Sequence, residues 1–285
     1  MAEKILFQSD QGPVTSKTFL IALQNSGVSR GDILMVHSRL YSLGNLAEVK
    51  KKAELLNTII NILAQAVGKT GSLIFPTFTP SFCKTGFFDI LNSKSEMTGI
   101  LSEEARSWPE AKRSLHPIYS VCIIGPASEN LKKANTETCF GDNSIFDLLH
   151  QLNKENKFIG KIKFLTIGVS APPSVITYTH FLEEKMRVPY RYFKEFSGIM
   201  INNRERILSR TKFFVRDIER KVRFNSDACW KLWQEKRIAS TQQLGNSLLC
   251  LIDEKRLHNV TIDAIREKND FLCIGGYNYP TENSS

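Results

Sequence analysis

Short apolar runs that alternate with helical patterns constrain the fold of this chain more than any other feature. Four strand-like runs lie at residues 32–37, 72–76, 121–124 and 164–169. Between the first two, apolar side chains recur at helical spacing over 46–66. Strands that alternate with helices along a sequence are typical of a sheet with helices packed on its faces.

The pattern changes beyond Tyr190. Strand-like runs at 197–201 and 207–215 flank Asn202-Asn203, which predicts a β-hairpin. We therefore predict an α/β (α+β) fold, with a mixed central β-sheet flanked by helices and a hairpin-rich C-terminal portion.

The length and composition suit one globular domain. A chain of 285 residues can bury a substantial core, so we predict a single domain over 1–285, with a possible subdivision into 1–186 and 187–285. No apolar run approaches the ~20 residues of a membrane helix. The N-terminus lacks the apolar core of a signal peptide, so the expected location is cytoplasmic. None of the six cysteines forms a C-x-x-C pair, which favours reduced thiols and no metal site.

The net charge of +9 is concentrated in one stretch of the chain. Residues 187–237 contain 14 Lys and Arg against six Asp and Glu. Such a stretch is either a solvated face or the source of a positive field that attracts anionic ligands. Binding of nucleic acid is a weaker interpretation, because no recognised nucleic-acid motif accompanies the charge.

A histidine and two glutamates share one face of a predicted helix. Glu183 and Glu184 follow His180 at three and four positions, which is the spacing of one helical turn. A carboxylate beside an imidazole fixes its tautomer and stabilises its protonated form, as a general base requires. A structural histidine paired with a surface glutamate has the same spacing, so spacing alone leaves both interpretations open.

A second polar cluster precedes Pro117. Arg113, Ser114 and His116 lie close together, and Pro117 excludes a helix there and favours an extended backbone at His116. A guanidinium beside hydroxyl and imidazole groups suits a phosphorylated or acylated ligand, because arginine can bind phosphate through two parallel hydrogen bonds. A purely structural loop is the alternative.

These polar clusters belong to a set of five segments that follow one another in order. The segments are Val36–Gly44, Pro76–Thr79, Arg113–Ser120, Phe140–Ser144 and Thr177–Glu184. Each is weak alone, but their order and spacing resemble the aminoglycoside 3-N-acetyltransferase family over roughly residues 15–275. Members of that family move an acetyl group from acetyl-CoA to an amine. The resemblance therefore implies an acyltransferase with acetyl-CoA as co-substrate.

The resemblance also implies roles for individual residues. Thr177, His180 and Glu183 match the family's Thr-x-x-His-x-x-Glu pattern, in which the histidine takes a proton from the attacking amine. The implied cofactor-binding residues are His37, Ser38, Ser42, Thr77, Arg113, Ser114 and His116. The implied substrate-binding residues are Thr79, Asp142, Tyr178 and Glu184. Thr77 and Thr79 are also candidate donors to an oxyanion.

The acceptor is the part of the function that the sequence leaves open. Arg39 stands where the family usually has a small hydroxyl residue. Sites for polycationic aminoglycosides are typically lined with carboxylates, whereas 187–237, in the portion where the family builds part of its acceptor cleft, is basic. We therefore predict a nucleotide-linked amino sugar as acceptor, with aminoglycoside 3-N-acetylation as the alternative. A non-catalytic protein that binds nucleic acid or anions is the alternative from another class.

The expected partners follow from this interpretation. They are CoA and a small amino sugar, with no nucleic acid and no membrane, in a monomer or homodimer.

Overall fold

A mixed sheet of seven strands forms the centre of the molecule in the computed structural model, which describes residues 3–47, 52–155 and 157–275. The strands are β1 (Ile5–Ser9), β2 (Gly12–Thr15), β3 (Ile33–Ser38), β4 (Asn45–Leu46), β5 (Ser72–Pro76), β6 (Phe87–Asp89), β7 (Lys112–Arg113), β8 (Val121–Ile124), β9 (Ile162–Ile167), β10 (Arg191–Asn202), β11 (Glu205–Arg216), β12 (Arg223–Phe224), β13 (Ala239–Leu244), β14 (Ser247–Asp253) and β15 (Cys273–Ile274). The helices are α1 (Ser16–Ser26), α2 (Lys52–Val67), α3 (Phe82–Thr85), α4 (Ile100–Arg106), α5 (Ser128–Leu131), α6 (Ile145–Lys154), α7 (Tyr178–Lys185), α8 (Ser226–Glu235) and α9 (Glu254–Glu267).

The central sheet combines parallel and antiparallel pairs. Its strand order is β13-β14-β9-β3-β5-β8-β7, and β3 runs parallel to both β9 and β5. The outer pairs β9–β14 and β5–β8 are antiparallel. The predicted mixed sheet with flanking helices is confirmed.

Strand β3 shows why the sheet needs helices on both faces. Ile33 and Met35 belong to one hydrophobic cluster, which also contains buried residues of α6, α7 and α9. Leu34 and Val36 belong to a second cluster with residues of α1, α2 and α4. Successive strand side chains point to opposite faces, so a continuously apolar strand is buried only between two layers.

Local signals position several helix ends. Thr15 caps α1 through a reciprocal capping box, and Gly27 ends that helix with a left-handed φ of 104°. The hydroxyl of Ser144 accepts a hydrogen bond from the backbone N–H of Asp147 and caps α6. The start of α1 and the start of α6 are therefore stabilised by residues that are close in sequence.

The predicted hairpin is present and longer than expected. Strands β10 and β11 pair over their whole length, and the turn places Asn203 and Arg204 at φ values of 48° and 70°. The register pairs Arg191 with Arg216 at the base of the hairpin, next to α7. This base therefore delivers two cations to one end of that helix.

The C-terminal portion also completes the central sheet. Strands β13 and β14 extend it beyond β9, so a boundary at residue 186 does not separate two sheets. A single domain over 1–285 stays a prediction. None of the described helices has the length and apolarity needed to span a membrane.

Candidate active site

A cleft of about 640 Å³ opens where the parallel strands of the central sheet end. Its walls come from the turn after β3, the loop after β5 and the segment that leads into α7. The carboxyl ends of adjacent parallel strands meet at one edge of a sheet, which is the usual position of ligand sites in such folds. Most of the exposed surface of the wall is apolar, and His180 is among the polar side chains that border the cleft.

His180 forms a dyad with Glu183 on α7. Nδ1 of His180 lies 2.6 Å from Oε2 of Glu183, as the three-residue spacing on the helix predicts. The Glu183 side chain is 1% exposed, whereas that of His180 is 25% exposed. The imidazole therefore reaches the cleft, and the carboxylate holds it from behind.

Two further donors bind Glu183. Nη2 of Arg191 lies 2.7 Å from Oε2, and the Tyr190 hydroxyl donates to Oε1 at 2.8 Å. Burial would raise the pKa of Glu183, but the Arg191 charge and the hydrogen bonds from His180 and Tyr190 lower it to about 2. Glu183 is thus an ionised acceptor at neutral pH.

The ionised carboxylate determines the proton position on His180. Two acceptors would repel each other at 2.6 Å, so Nδ1 carries the proton and donates it to Glu183. Nη2 of Arg191, 2.9 Å from Nδ1, then donates to Glu183 alone. Nε2 is left with a free lone pair and no partner among the described residues. Burial, followed by the Arg191 charge, lowers the pKa of His180, so the imidazole is neutral at neutral pH.

Two buried polar atoms at the cleft wall lack partners. Nε2 of His37 and Oγ1 of Thr98 have no hydrogen bond within the described chain, and both residues line the cleft. Burial lowers the pKa of His37 to about 4, so its ring is neutral at neutral pH. Unsatisfied buried polar groups of this kind are expected to bind a ligand or water.

The sequence matches the family described as Aminoglycoside 3-N-acetyltransferase over residues 35–266. The chain belongs to this family. The predicted family is thereby confirmed, and the family is one of acyltransferases.

Curated relatives agree with the assignment. Aminoglycoside N(3)-acetyltransferase III of Salmonella sp is 27% identical over an alignment of 205 residues, and the match covers 61% of this chain and 62% of the relative. Aminoglycoside N(3)-acetyltransferase VIII of Streptomyces fradiae is 24% identical over an alignment of 211 residues, and the match covers 68% of each chain. The alignment with the Salmonella relative thus leaves more than a third of that protein unmatched.

Solved structures of the family share the fold. Aminoglycoside acetyltransferase AAC(3)-Xa superimposes with a TM-score of 0.74 at 21% identity, covering 90% of this chain and 94% of that one. AAC-IIIb in a binary complex with CoASH superimposes with a TM-score of 0.72 at 17% identity, covering 93% and 98%.

The turn after β3 has the position that the family resemblance implies, with one correction. His37, Ser38 and Arg39 line the cleft. Ser42 does not, because its hydroxyl contacts the carbonyl oxygens of Arg39 at 2.7 Å and Gly168 at 2.6 Å. Its role is to hold the turn against the end of β9.

Arg113 occupies a different position from the predicted one. Its Nη1 donates to the carbonyls of Ile90 at 3.0 Å and Ser93 at 2.6 Å, and its Nη2 to that of Thr77 at 2.9 Å. Its Nε donates to the Ser120 hydroxyl at 3.1 Å. These carbonyls and the hydroxyl engage the guanidinium, which therefore supports three loops and does not line the cleft.

Ser114 and His116 are likewise internal. The Ser114 hydroxyl accepts the N–H of Val121 at 3.0 Å. Nδ1 of His116 accepts the N–H groups of Ile118 and Tyr119 at 3.1 and 2.9 Å, which the extended backbone before Pro117 permits. The interpretation of Arg113, Ser114 and His116 as CoA contacts at the cleft is corrected, because all three stabilise the loop itself.

The backbone N–H groups of Thr77 and Thr79 are not free to act as oxyanion donors. Their N–H groups donate to the carbonyls of Ser120 and Ile118 at 2.9 and 2.8 Å, so the backbone donors are engaged. The Thr77 hydroxyl lies 3.2 Å from that of Ser120. Phe78, between them, is the residue of this loop that lines the cleft. The prediction for Thr77 is therefore corrected, whereas the Thr79 hydroxyl has no hydrogen-bond partner in the described chain and a contact there stays a prediction.

Tyr178 is also internal rather than a substrate contact. Its ring is fully buried, and its hydroxyl bonds to Glu254 and to Nδ1 of His258. His150, Glu254 and His258 hold potential metal ligands within 4.8 Å. The two imidazoles stack at 3.8 Å and 6°, so both Nδ1 atoms cannot point in the ring plane at one ion. Hydrogen bonding accounts for this cluster.

Asp142 and Glu184 line a separate cavity of about 530 Å³. Lys212 of β11 also borders this cavity, whereas Phe213 and Arg216 of the same strand border the cleft. Burial raises the pKa of Glu184 to about 7. Neither residue borders the cleft that His180 borders, and acceptor contacts at Asp142 and Glu184 stay predictions.

Sequence reasoning missed Tyr190 and Arg191, which bind the dyad, and Arg216, which borders the cleft. In the sequence, Arg191 is one of the cations of the basic stretch at 187–237. The one sequence feature that indicates this contact is Pro189, which interrupts the helical pattern after α7 and so allows the chain to turn back beside that helix.

Proposed function

We propose that the protein transfers the acetyl group of acetyl-CoA to an amine of an aminoglycoside-type amino sugar, with His180 as general base. The observation that carries the proposal is the dyad at the cleft, where Nδ1 of His180 is fixed by ionised Glu183 and Nε2 is free. The aminoglycoside acceptor is supported by the names of the curated relatives, and it replaces the nucleotide-linked sugar as the first acceptor to test.

The residues of the cleft fit acetyl-CoA. The partnerless polar atoms of His37 and Thr98 suit the amide and carbonyl groups of a pantetheine chain, and the apolar wall suits its methylene groups. Arg39, exposed at the cleft, is suited to a phosphate contact. When bound, acetyl-CoA supplies a thioester carbonyl for attack and a thiolate leaving group.

The chain's own groups then handle the proton. As the amine nitrogen forms the amide bond, Nε2 of His180 accepts one proton from it, either directly or through a water molecule. Glu183 stabilises the resulting imidazolium through the hydrogen bond at Nδ1. The proton returns from Nε2 to the thiolate sulfur, so the products are the acetamide and the free thiol. No thiol of the protein takes part.

A nucleotide-linked amino sugar is the second candidate acceptor. Arg39 and Arg216 border the cleft, and Glu96 is the carboxylate that borders it. That carboxylate already accepts hydrogen bonds from the N–H and hydroxyl of Ser81. A cleft with this charge pattern favours a neutral or anionic acceptor over a polycation.

An acceptor panel tests the proposal. Purified protein with acetyl-CoA is offered gentamicin-type aminoglycosides and nucleotide-linked amino sugars, and thiol release and product mass are measured. The proposal predicts acetylated aminoglycoside. Acetylation of the nucleotide-linked amino sugars, with none of the aminoglycosides, would contradict the proposal and support the second candidate acceptor. Salt-sensitive binding of nucleic acid with no acetyl transfer to any amine would support the non-catalytic alternative.

A further inference from the structure

The base of the hairpin places a buried guanidinium against the dyad. The Arg191 side chain is 2% exposed, and its Nη2 lies 2.7 Å from Oε2 of Glu183 and 2.9 Å from Nδ1 of His180. Its Nη1 donates to the carbonyl of Phe214 at 3.0 Å on the partner strand. The guanidinium is therefore fixed by the hairpin as well as by Glu183.

Tyr190 holds the other carboxylate oxygen. Its hydroxyl donates to Oε1 of Glu183 at 2.8 Å, and its ring is 1% exposed. Glu183 thus accepts from Tyr190 on one oxygen and from Arg191 and His180 on the other. These three donors leave the carboxylate little freedom to rotate away from the imidazole.

The surroundings of His180 contain few other charges. Glu183 faces it from its own helix, and Arg191 and Arg216 face it from the two strands of the hairpin. The rings of Phe140 and Phe224 pack edge-on at 5.9 and 5.7 Å. A buried histidine beside a carboxylate alone would be stabilised as the cation, and such an imidazolium could not accept a proton.

We infer that Arg191 and Tyr190 are positioning residues for the dyad. Arg191 balances the charge of Glu183, so that the carboxylate orients His180 without holding it protonated, and Tyr190 fixes the carboxylate plane. This inference deepens the proposed function and rests on His180 being the general base.

The arrangement has a cost for the reaction. A guanidinium 2.9 Å from Nδ1 disfavours the imidazolium that forms when His180 accepts the proton. The imidazole of His180 is therefore a weak base, but it is unprotonated and can accept a proton. A weak base favours a short-lived imidazolium, whose proton then passes to the leaving thiolate. Removal of the Arg191 charge is expected to give a stronger base that is already occupied by a proton at mildly acidic pH.

Four variants test the inference: Arg191→Gln, Arg191→Lys, Tyr190→Phe and, as a control for charge alone, Arg210→Gln on the exposed part of the same hairpin. The titration of His180 is followed by NMR of the imidazole nitrogens in protein without acceptor, and kcat/KM is measured against pH. Arg191→Gln should move the His180 titration and the acidic limb of kcat/KM to higher pH. Arg191→Lys keeps the charge and should largely restore the wild-type titration.

Tyr190→Phe should lower kcat and leave KM for acetyl-CoA near the wild-type value, because only the orientation of Glu183 changes. Arg210→Gln should leave the titration unchanged. An unchanged His180 titration in Arg191→Gln overturns the inference, as does an equal loss of activity at every pH. If Arg191→Gln does not fold, the other variants test the inference. It is overturned by a kcat of Tyr190→Phe equal to that of the wild type, or by a His180 titration in Arg191→Lys that moves to higher pH. Activity in His180→Gln equal to wild type would instead overturn the proposed function, so the two failures are distinguishable.

Discussion

Replacement of Arg113 by methionine separates a ligand contact from a structural contact. The sequence suggested that Arg113 binds phosphate, whereas in the structure its guanidinium donates to the carbonyls of Thr77, Ile90 and Ser93. Methionine keeps much of the volume but removes every donor. The variant should therefore lose stability and keep its affinity for CoA.

The magnitude follows from the carbonyl groups left behind. Each buried acceptor without its donor costs about 1–3 kcal/mol. Arg113 is partly buried, so water replaces some of these bonds, and we expect a total loss of about 3 kcal/mol. The unfolding entropy of a 285-residue chain, at about 2.1 cal/mol/K per residue, gives a Tm shift of roughly 2 °C for each kcal/mol, and therefore a fall of about 5 °C.

Thermal unfolding and CoA titration together provide the assay. Arg39→Met is the matched control, since Arg39 is exposed and borders the cleft. The control should keep its Tm and bind CoA more weakly. An Arg113→Met protein with wild-type Tm and weakened CoA binding would refute this reasoning.

Three further predictions concern buried groups. Burial lowers the pKa values of His37 and His116 to about 4. Because the pKa of histidine in the unfolded chain is near 6.5, the stability that depends on the neutral imidazoles is complete above pH 6.5 and is lost as the pH falls toward 4. In urea unfolding, His116→Asn should lose less stability across that range than the wild type, and an identical loss would contradict this. Glu184 has a pKa raised from 4.5 to about 7, so its burial lowers the stability of the fold progressively as the pH rises from about 4.5 to 7, and the loss stays constant above 7. Glu184→Gln should therefore gain about 2 kcal/mol relative to the wild type at pH 8 compared with pH 5, and a difference in unfolding free energy that does not vary with pH would contradict this. His37→Ala removes a partnerless cleft nitrogen and should raise KM for acetyl-CoA with a smaller effect on kcat, whereas a selective fall in kcat would place His37 in the chemistry instead.

Local signals were sufficient for most of the fold. Thr15, Gly27 and Ser144 mark helix ends because capping depends on neighbouring residues only. The continuously apolar β3 indicates a strand buried between layers, because both of its faces need cover. The hairpin followed from two runs and an Asn pair, with a turn displaced by one residue.

The candidate site was predictable only where it depends on a single helix. His180 and Glu183 lie one turn apart on α7, so their contact follows from spacing. Arg113 was misjudged because its partners Ile90 and Ser93 lie 23 and 20 residues upstream, in a loop whose position depends on tertiary packing. Arg191 was missed for the same reason, since its contact with Glu183 requires the hairpin to return beside the helix.

The most direct measurement is the rate of acetyl-CoA-dependent thiol release by His180→Gln with the accepted amine. Acetyl-CoA affinity is measured in parallel through the ligand-induced rise in Tm. His258→Gln is the matched control, because that imidazole is bonded to Tyr178 and lies outside the lining of the cleft. A general base predicts that kcat/KM falls about 10²–10⁴-fold in His180→Gln while acetyl-CoA still raises Tm. A His180→Gln protein that retains the wild-type rate would contradict the account.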